Sequence, residues 1–266
     1  MIEKKSSGIT EKKYWDSLYG NDSDGKTITS QYKTDYKQLC DKLIMDKIIE
    51  FYSGDNFLEV GAGNSDWMIR VCKEFSPSYC AGLDYSEQGC ELLKNKAKKN
   101  NVKIDVINAD IFSPPTETLN KFDFIMSYGV VEHFKDLPNV LKTISRFSKA
   151  NGLMFTLIPN MSGVIGSLTR LLDEDIYNIH VPHDLASFEK GHHDAGLDIV
   201  WKGYLGSSNF GVLSSCFQEQ KGIKYFLYKQ LTRVSKVIWL FETKLGFSFK
   251  SKLFSPYILV VSRVLK

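Results

Sequence analysis

No stretch of this 266-residue chain is apolar enough to cross a bilayer: the longest such runs, YILVV near the C-terminus among them, fall far short of the roughly 20 residues required. The opening MIEKKSSGITEKK has no apolar centre followed by a small-residue cleavage site, so no secretory signal is expected and the chain reads as cytoplasmic. The five cysteines, Cys40, Cys72, Cys80, Cys90 and Cys216, are odd in number and include no CxxC pair. That pattern predicts free buried thiols, with neither a disulfide framework nor a cysteine zinc site. Repeats and low-complexity tracts are absent as well, which leaves an ordinary globular chain long enough for one sizeable core.

Charge is abundant but unevenly placed. The net +3 hides a segment, residues 221–266, with ten Lys or Arg and the single acid Glu242, against 24 bases and 30 acids in the first 220 residues. Something anionic is expected near that C-terminal segment.

Five β-like apolar runs follow one another: NFLEV (56–60), YCAGLD (79–84), VKIDVI (102–107), FDFIMS (122–127) and LMFTLIP (153–159). Helical spacing fills the intervals at 66–75, 87–100 and 137–149. Strand and helix taking turns implies crossover connections and a parallel sheet covered on both faces. After Pro159 the rhythm breaks into SGVIGSLTRLLDEDIYNIHVPHDL, placed where an α/β enzyme inserts a substrate-facing element. A helix at 185–195, ended by Gly196, then leads to strands LDIVWKGYL and SPYILVVSRV. Between those strands Ile223, Phe226, Leu227, Leu231, Val234, Ile238, Phe241 and Leu245 recur at helical spacing, a pattern that with Trp239 predicts a packing face. GNDSDG (20–25) reads as a loop.

FLEVGAGNSDW (57–67) is a strand, a tight turn and a helix start, with glycines at 61 and 63 and none at 66. Glycine lets backbone approach a ligand lying across the strand's carboxyl end, where open α/β sheets bind. A dinucleotide fingerprint would place a third glycine at 66, beneath a pyrophosphate; Asp66 stands there, an acid where two phosphates would sit. A ligand without phosphate fits that loop better. The second run ends in Asp84, placed to accept hydrogen bonds from both hydroxyls of a ribose. The third runs into NADIF, where Asp110 can accept from an adenine amino group and Ile111 can cover the ring. The fourth run delivers SYGVVEHF (127–134) to the same edge; each acid alone is more often a helix cap or a solvated charge, but Asp84 and Asp110 together beside GxG argue for an adenosine.

Together LEVGAGNS, GLDYS, NADIF, FDFIMSYGVVEHF and GLMFTLIPN resemble class I S-adenosylmethionine-dependent methyltransferases of the small-molecule type, in order and at similar spacing. The resemblance spans nearly the whole chain and is weakest at 159–195 and in the basic helix. It implies a single domain over 1–266, with a Rossmann-like seven-stranded, mostly parallel sheet, helices on both faces and the last strand antiparallel. KKYWDSLYG is similar to the family's N-terminal lid, giving lid helices over 1–40, a substrate-facing insertion over 160–195 and a basic amphipathic helix over 221–246. The implied cofactor is S-adenosyl-L-methionine. Carried over by position, Glu59, Gly61, Ala62 and Gly63 face its methionine part, Asp84 holds the ribose, and Tyr85, Ala109, Asp110 and Ile111 border the adenine. Ser127 and Tyr128 offer backbone groups to the ammonium, and Trp15 closes from the lid. Asn64 and Ser65 depart from the small residues many members have there.

A sulfonium is an activated methyl donor, so the protein has mainly to align an acceptor, and a hydroxyl acceptor gains from a general base. His133, after the fourth strand, is one candidate; His180 and His183 in HVPHD are the others. HxxH suggests a metal, but Pro182 breaks helical register and no third ligand is apparent, so no metal is expected. His192 and His193 read as surface residues. Trp15, Tyr19, Tyr32 and Tyr36 could close over the cofactor. The fourth strand lacks the Asn or Asp followed by Pro-Pro and an aromatic that marks nucleic-acid base methylation in this superfamily, so nucleic acid is not the expected partner. The expectation is a small polar acceptor, anionic or sugar-linked, most simply a hydroxyl in bacterial surface carbohydrate or its precursors. Quinone, amine, phosphoester and phosphoramidate acceptors stay open, as do a cofactor-binding partner protein without turnover and a nicotinamide dehydrogenase. For the basic helix the readings are a solvated face, a homodimer or membrane-surface contact, or an anionic-substrate funnel.

Overall fold

The computed structural model describes residues 8–10, 12–19, 28, 36–217 and 221–266. The expected loop at 20–25 and Tyr32 lie outside the described residues. Seven strands form one sheet: β1 (Asn56–Val60), β2 (Tyr79–Asp84), β3 (Asp105–Asn108), β4 (Phe122–Tyr128), β5 (Ser148–Pro159), β6 (Leu197–Leu205) and β7 (Tyr257–Val264). Their order is β3-β2-β1-β4-β5-β7-β6, and only β7 runs antiparallel to its neighbours. The chain reverses direction of travel across the sheet between β1 and β4, so the carboxyl ends of β1, β2 and β4 open on one crevice, the usual ligand position of such sheets.

Alternation along the strands divides the core. Phe57, Phe124, Phe155 and Leu259 face one layer, where α2 (Leu39–Phe51) contributes Ile44, Met45 and Ile48 and α3 (Asp66–Phe75) contributes Met68 and Val71. Their neighbours Leu58, Ile125, Met154 and Val260 face the other, against Val140, Leu141 and Ile144 of α5 (Leu137–Ser145) and Phe188 of α8 (Leu185–Asp194). Helix starts follow local capping chemistry: Ser65 accepts from the Met68 amide, Asp136 from Asn139, and Asp184 and Ser187 make a reciprocal capping box. Ser86 likewise caps α4 (Glu87–Lys99) through the Gly89 amide.

Several expected boundaries move. β5 begins at Ser148, because the Asn120, Lys121 and Phe122 amides bond the Arg146 and Phe147 carbonyls and draw the chain into the sheet before the helix can reach 149. β3 begins at Asp105 rather than 102, since Val102 and Ile104 pack with Ile28, Ile69 and Ala97 in a small helical cluster. Within 160–195 the structure forms α6 (Val164–Leu172), α7 (Glu174–Asn178) and α8. Of these α8 is scaffold: Gly191 sits so close to Leu137 that an added Cβ would come within 2.3 Å of it.

Two expectations are overturned. Cys72, in the last turn of α3, and Cys80, in β2, are joined in a disulfide, leaving Cys40, Cys90 and Cys216 free. Ser76 in the left-handed conformation ends α3 and turns the chain back beside it, which brings together two cysteines whose spacing alone carries no such signal. The apolar stripe on α9 (Gly222–Leu245) is not its packing face. The helix buries Tyr228, Ser235, Trp239 and Glu242 instead, and three of these are tied to one loop: Ser235 accepts from the Phe210 amide, Trp239 Nε1 donates to the Ser208 carbonyl at 2.7 Å, and Glu242 accepts from Ser207 Oγ. Directional hydrogen bonds from the polar side thus set which face turns inward, and Ile223, Phe226, Leu227, Val234, Phe241 and Leu245 point outward. No helix among the described residues is long and apolar enough to cross a membrane.

Candidate active site

The crevice at the carboxyl ends of β1, β2 and β4 is a cavity of about 550 Å³. Its floor begins at Gly61, which has φ 73° and donates to the Leu83 carbonyl; a Cβ there would stand 2.3 Å from Val130 Cγ2, so only glycine fits. At Gly63 a Cβ would lie 2.8 Å from both Asp84 Oδ2 and the Tyr19 ring. Asp84 lines the cavity with both oxygens engaged, Oδ2 accepting from the Gly63 amide and Oδ1 from the Ser86 amide, each at 2.8 Å. Burial pushes its carboxyl above the usual range and those amides oppose the shift. Tyr85, Ala109, Asp110, Ile111 and Phe112 continue the wall, where Asp110 Oδ1 accepts from the Phe112 amide at 2.9 Å.

Not every residue carried over by position reaches this wall. Glu59 lies buried beneath the loop, with Ser65 Oγ 2.8 Å from both its oxygens, and burial pushes its carboxyl up to about 8. Ala62 and Ser127 are buried and Tyr128 is half-buried; none of these, nor Gly63, lines the cavity, while Gly129 and Val130 do. Asp66 is half exposed and paired with Lys96 at 2.5 Å. Its charge is therefore compensated, and the case against a pyrophosphate rests less on it than the sequence suggested.

The roof comes from the N-terminal segment. Gly8, Thr10, Lys12, Trp15 and Tyr19 line the cavity, the last three on α1 (Lys12–Tyr19). Gly8 bridges to Phe134 and the Ile9 amide donates to the His133 carbonyl at 2.8 Å, which fastens this segment over β4's exit. Tyr19 lies between Gly63 and Gly89, and burial raises its hydroxyl far above the ordinary phenol range. Tyr36 instead packs on the core.

The histidines divide in an unexpected way. His133, on a 3-10 turn at Val131–His133, lines the cavity and donates from Nδ1 to the Ile179 carbonyl at 2.7 Å. His180 donates from Nδ1 to the Ile176 carbonyl at 2.7 Å, and its ring stands 4.6 Å from that of His133. The Val181 amide donates to the Glu132 carbonyl, locking the two segments together. Trp15 meets His133 edge-on at 5.1 Å. Burial, then the neighbouring His180, lowers His133 to about 4, and burial lowers His180 too, so both are neutral at pH 7 and each keeps an Nε2 lone pair. His183 is elsewhere, beside Phe188 with Nε2 buried and unpartnered among the described residues. His192 is fully buried, correcting the surface reading: α8 turns it onto the sheet, where Nδ1 donates to the Phe188 carbonyl. His193 is exposed as expected. No residue of 160–195 lines the cavity itself.

Sequence reasoning missed Glu132. Its side chain is 1% exposed, neither oxygen has a hydrogen-bond partner among the described residues, and burial pushes its carboxyl up to about 8. Gly129, Val130, Phe112 and Phe134 were also missed as wall residues, although SYGVVEHF at a strand end was a signal for all of that turn.

A parallel sheet closed by one antiparallel strand, a glycine turn and an acid at the next strand's end define an α/β enzyme that binds S-adenosylmethionine across its strand tips. The chain belongs to a methyltransferase-domain family whose model matches residues 32–201. It is similar to the ubiquinone biosynthesis O-methyltransferase of Pelagibacter ubique, 33% identical over 99 residues, 37% of this chain and 39% of that one. It is also similar to the demethylmenaquinone methyltransferase of Staphylococcus carnosus, 29% identical over 112 residues, 42% of this chain and 46% of that one. These matches thus span less than half of either relative. In fold it resembles the geranyl diphosphate C-methyltransferase of Streptomyces coelicolor, solved with Mg2+, geranyl diphosphate and S-adenosyl-L-homocysteine: TM-score 0.58, 12% identity, 95% of this chain and 97% of that one.

The residues present fit the cofactor: a glycine at 61, where the left-handed turn and Val130 leave no room for a Cβ, a buried carboxyl on the wall, and apolar Ile111 and Phe112 beside it. Bound there, S-adenosylmethionine supplies a methyl already activated on a sulfonium.

Proposed function

We propose that the protein methylates a hydroxyl of a small polar acceptor, with His133 receiving that hydroxyl's hydrogen bond. What supports this is the state of one side chain: a neutral imidazole at the cavity wall whose Nδ1–H is committed to the Ile179 carbonyl, leaving Nε2 as an acceptor. A group held near pKa 4 is a weak base, so its work is to orient the oxygen and take the proton as attack on the methyl carbon drains charge from it. Asp84, Tyr85, Asp110 and Ile111 hold the adenosine end, and Gly61 leaves room for the methionine end, with Gly63 holding Asp84 through its amide. On this reading the N-terminal 1–40 is a lid and the whole chain works as one domain, with the HVPHD segment acting through His180 behind His133.

A sugar or sugar precursor of the bacterial surface is the acceptor favoured by the sequence. A phenolic or quinol hydroxyl is the second reading, favoured by Trp15, Phe112 and Phe134 on the wall and by the likeness to a ubiquinone biosynthesis enzyme. Incubation with methyl-labelled cofactor and separate pools of sugars, nucleotide sugars, quinols and amines discriminates them. Transfer confined to amines would sink the hydroxyl reading. With the responsive acceptor, His133→Ala should lower turnover by about 100-fold while S-adenosylhomocysteine affinity changes less than about twofold. Unchanged turnover would remove His133 from the chemistry.

A further inference from the structure

We propose that Glu132, His133 and His180 form a binding site for a zinc-class divalent cation. One ligand atom from each lies within 4.8 Å of the other two. Each histidine already has Nδ1 bonded to a backbone carbonyl, the outer contact that fixes a metal-binding imidazole and presents Nε2. The independent observation is Glu132: a carboxyl 1% exposed, with neither oxygen hydrogen-bonded among the described residues, leaves buried polar atoms that a cation would satisfy, the proton leaving as the ion binds. Two imidazole nitrogens and one carboxylate suit zinc better than magnesium, which prefers oxygen and keeps its waters. Such a trio leaves a fourth position, and one of its members, His133, lines the cavity together with nearby Gly129. A bound ion would take the Nε2 lone pair that the hydroxyl reading gives to the acceptor, so in the metal-loaded protein the ion, and not His133, would meet and polarise the acceptor oxygen; that role rests on the hydroxyl reading above, and the binding itself does not.

The test uses the full chain stripped with chelator, then dialysed against Zn2+, Mn2+ or Mg2+ and assayed for bound metal. About one equivalent of Zn2+ should be retained in preference to Mg2+, and Glu132→Gln and His180→Ala should each lose at least tenfold in affinity, while both still bind S-adenosylhomocysteine as folded proteins. No retained metal, or retention equal in both variants, overturns the site. Metal binding without transfer to any hydroxyl would instead refute only the acceptor assignment.

A second observation, independent of the first, concerns α9, which is tied to the loop after β6. We infer that α9 and the loop after it dock on an anionic lipid surface. Eleven of the fifteen exposed large apolar side chains among the described residues fall at 223–254. On α9, Ile223, Leu227, Val234, Phe241 and Leu245 follow intervals of four and seven, with Phe226 and Val237 beside them, so they share one stripe opposite the buried Tyr228 and Trp239. Exposed Lys224, Arg233 and Lys244 lie at the sides of this stripe, exposed Lys250 follows in the loop, and the only acid of residues 221–266, Glu242, is buried. A second copy would set two strongly basic faces together; a membrane of negative headgroups complements both the charge and the apolar stripe.

Co-sedimentation with vesicles checks it. The protein should pellet with phosphatidylcholine vesicles containing phosphatidylglycerol and not with phosphatidylcholine alone, release as salt is raised, and lose binding in Phe226→Ser/Phe241→Ser/Phe249→Ser. Equal binding to both vesicles, or none, overturns the inference, as does a solution dimer that the same triple variant dissolves.

Discussion

Asp84→Asn separates the two jobs that one carboxylate performs. In the native protein its oxygens accept from the Gly63 and Ser86 amides at 2.8 Å each, which shapes the glycine loop, and the same group faces the cavity, where on the proposed reading it would meet the ribose diol. Asparagine keeps one acceptor oxygen and turns an NH2 towards the other amide, so one buried donor loses its partner. That costs about 1–3 kcal/mol of stability. The diol loses a charged acceptor as well, which should weaken S-adenosylhomocysteine binding by at least about 1.5 kcal/mol, or roughly tenfold in Kd. Urea unfolding measures the first quantity and titration calorimetry the second. Ser65→Ala is the control, since it loosens the same loop through the Ser65–Glu59 contact and the α3 cap without touching Asp84. If Asp84→Asn binds S-adenosylhomocysteine as tightly as the native chain, or no more weakly than Ser65→Ala, the ribose is held elsewhere and the reasoning fails.

Further outcomes follow from the same geometry. Gly61→Ala sets a Cβ 2.3 Å from Val130 Cγ2 at φ 73°, so stability should drop by about 2 kcal/mol or more and recover in part when Val130→Ala is added. Equal losses in the single and double variants, read by denaturant unfolding, would disprove the contact. Glu59, pushed up to about 8, keeps its proton in the fold while the unfolded chain releases it above about 4.5; its contribution therefore disfavours folding increasingly as pH rises from about 4.5 to 8. Glu59→Gln removes that dependence, so the stability difference between variant and native chain should shift in the variant's favour from pH 5 to pH 8, by on the order of 3 kcal/mol. A difference independent of pH would show Glu59 to be ionised in the fold.

The bounds of β1, β2, α3 and β6 could be read from the chain because local chemistry sets them: apolar runs of strand length, with Ser65 to open α3 and Gly196 ahead of β6. The lining of the crevice was legible for the same reason, since Gly61, Asp84, Asp110 and Ile111 all lie at a strand end or within three residues of one. What escaped depends on contacts between distant segments. His180 was paired on paper with its near neighbour His183, yet it meets His133, because the Val181 amide and the Ile179 carbonyl tie that loop to the turn after β4. Periodicity found α9 but not its orientation: an apolar stripe says that one face is different, and the hydrogen bonds of Ser235, Trp239 and Glu242 decide which face is buried. The Cys72–Cys80 bridge and the burial of His192 likewise arise only once α3 and α8 lie on the sheet.

The strap formed by residues 8–10 and α1 reaches both ends of the cavity, with Tyr19 against Gly63 and Asp84 and Trp15 against His133. A cofactor as large as an adenosyl amino acid has to enter beneath it, and once seated it gives Tyr19 and Trp15 a surface on which to settle. The acceptor then meets a wall that the first ligand has finished building. Initial-rate kinetics should accordingly show a compulsory sequence, S-adenosylmethionine on first and S-adenosylhomocysteine off last, with the homocysteine product competitive against the donor alone; a random pattern would mean that the strap stands aside from both ligands.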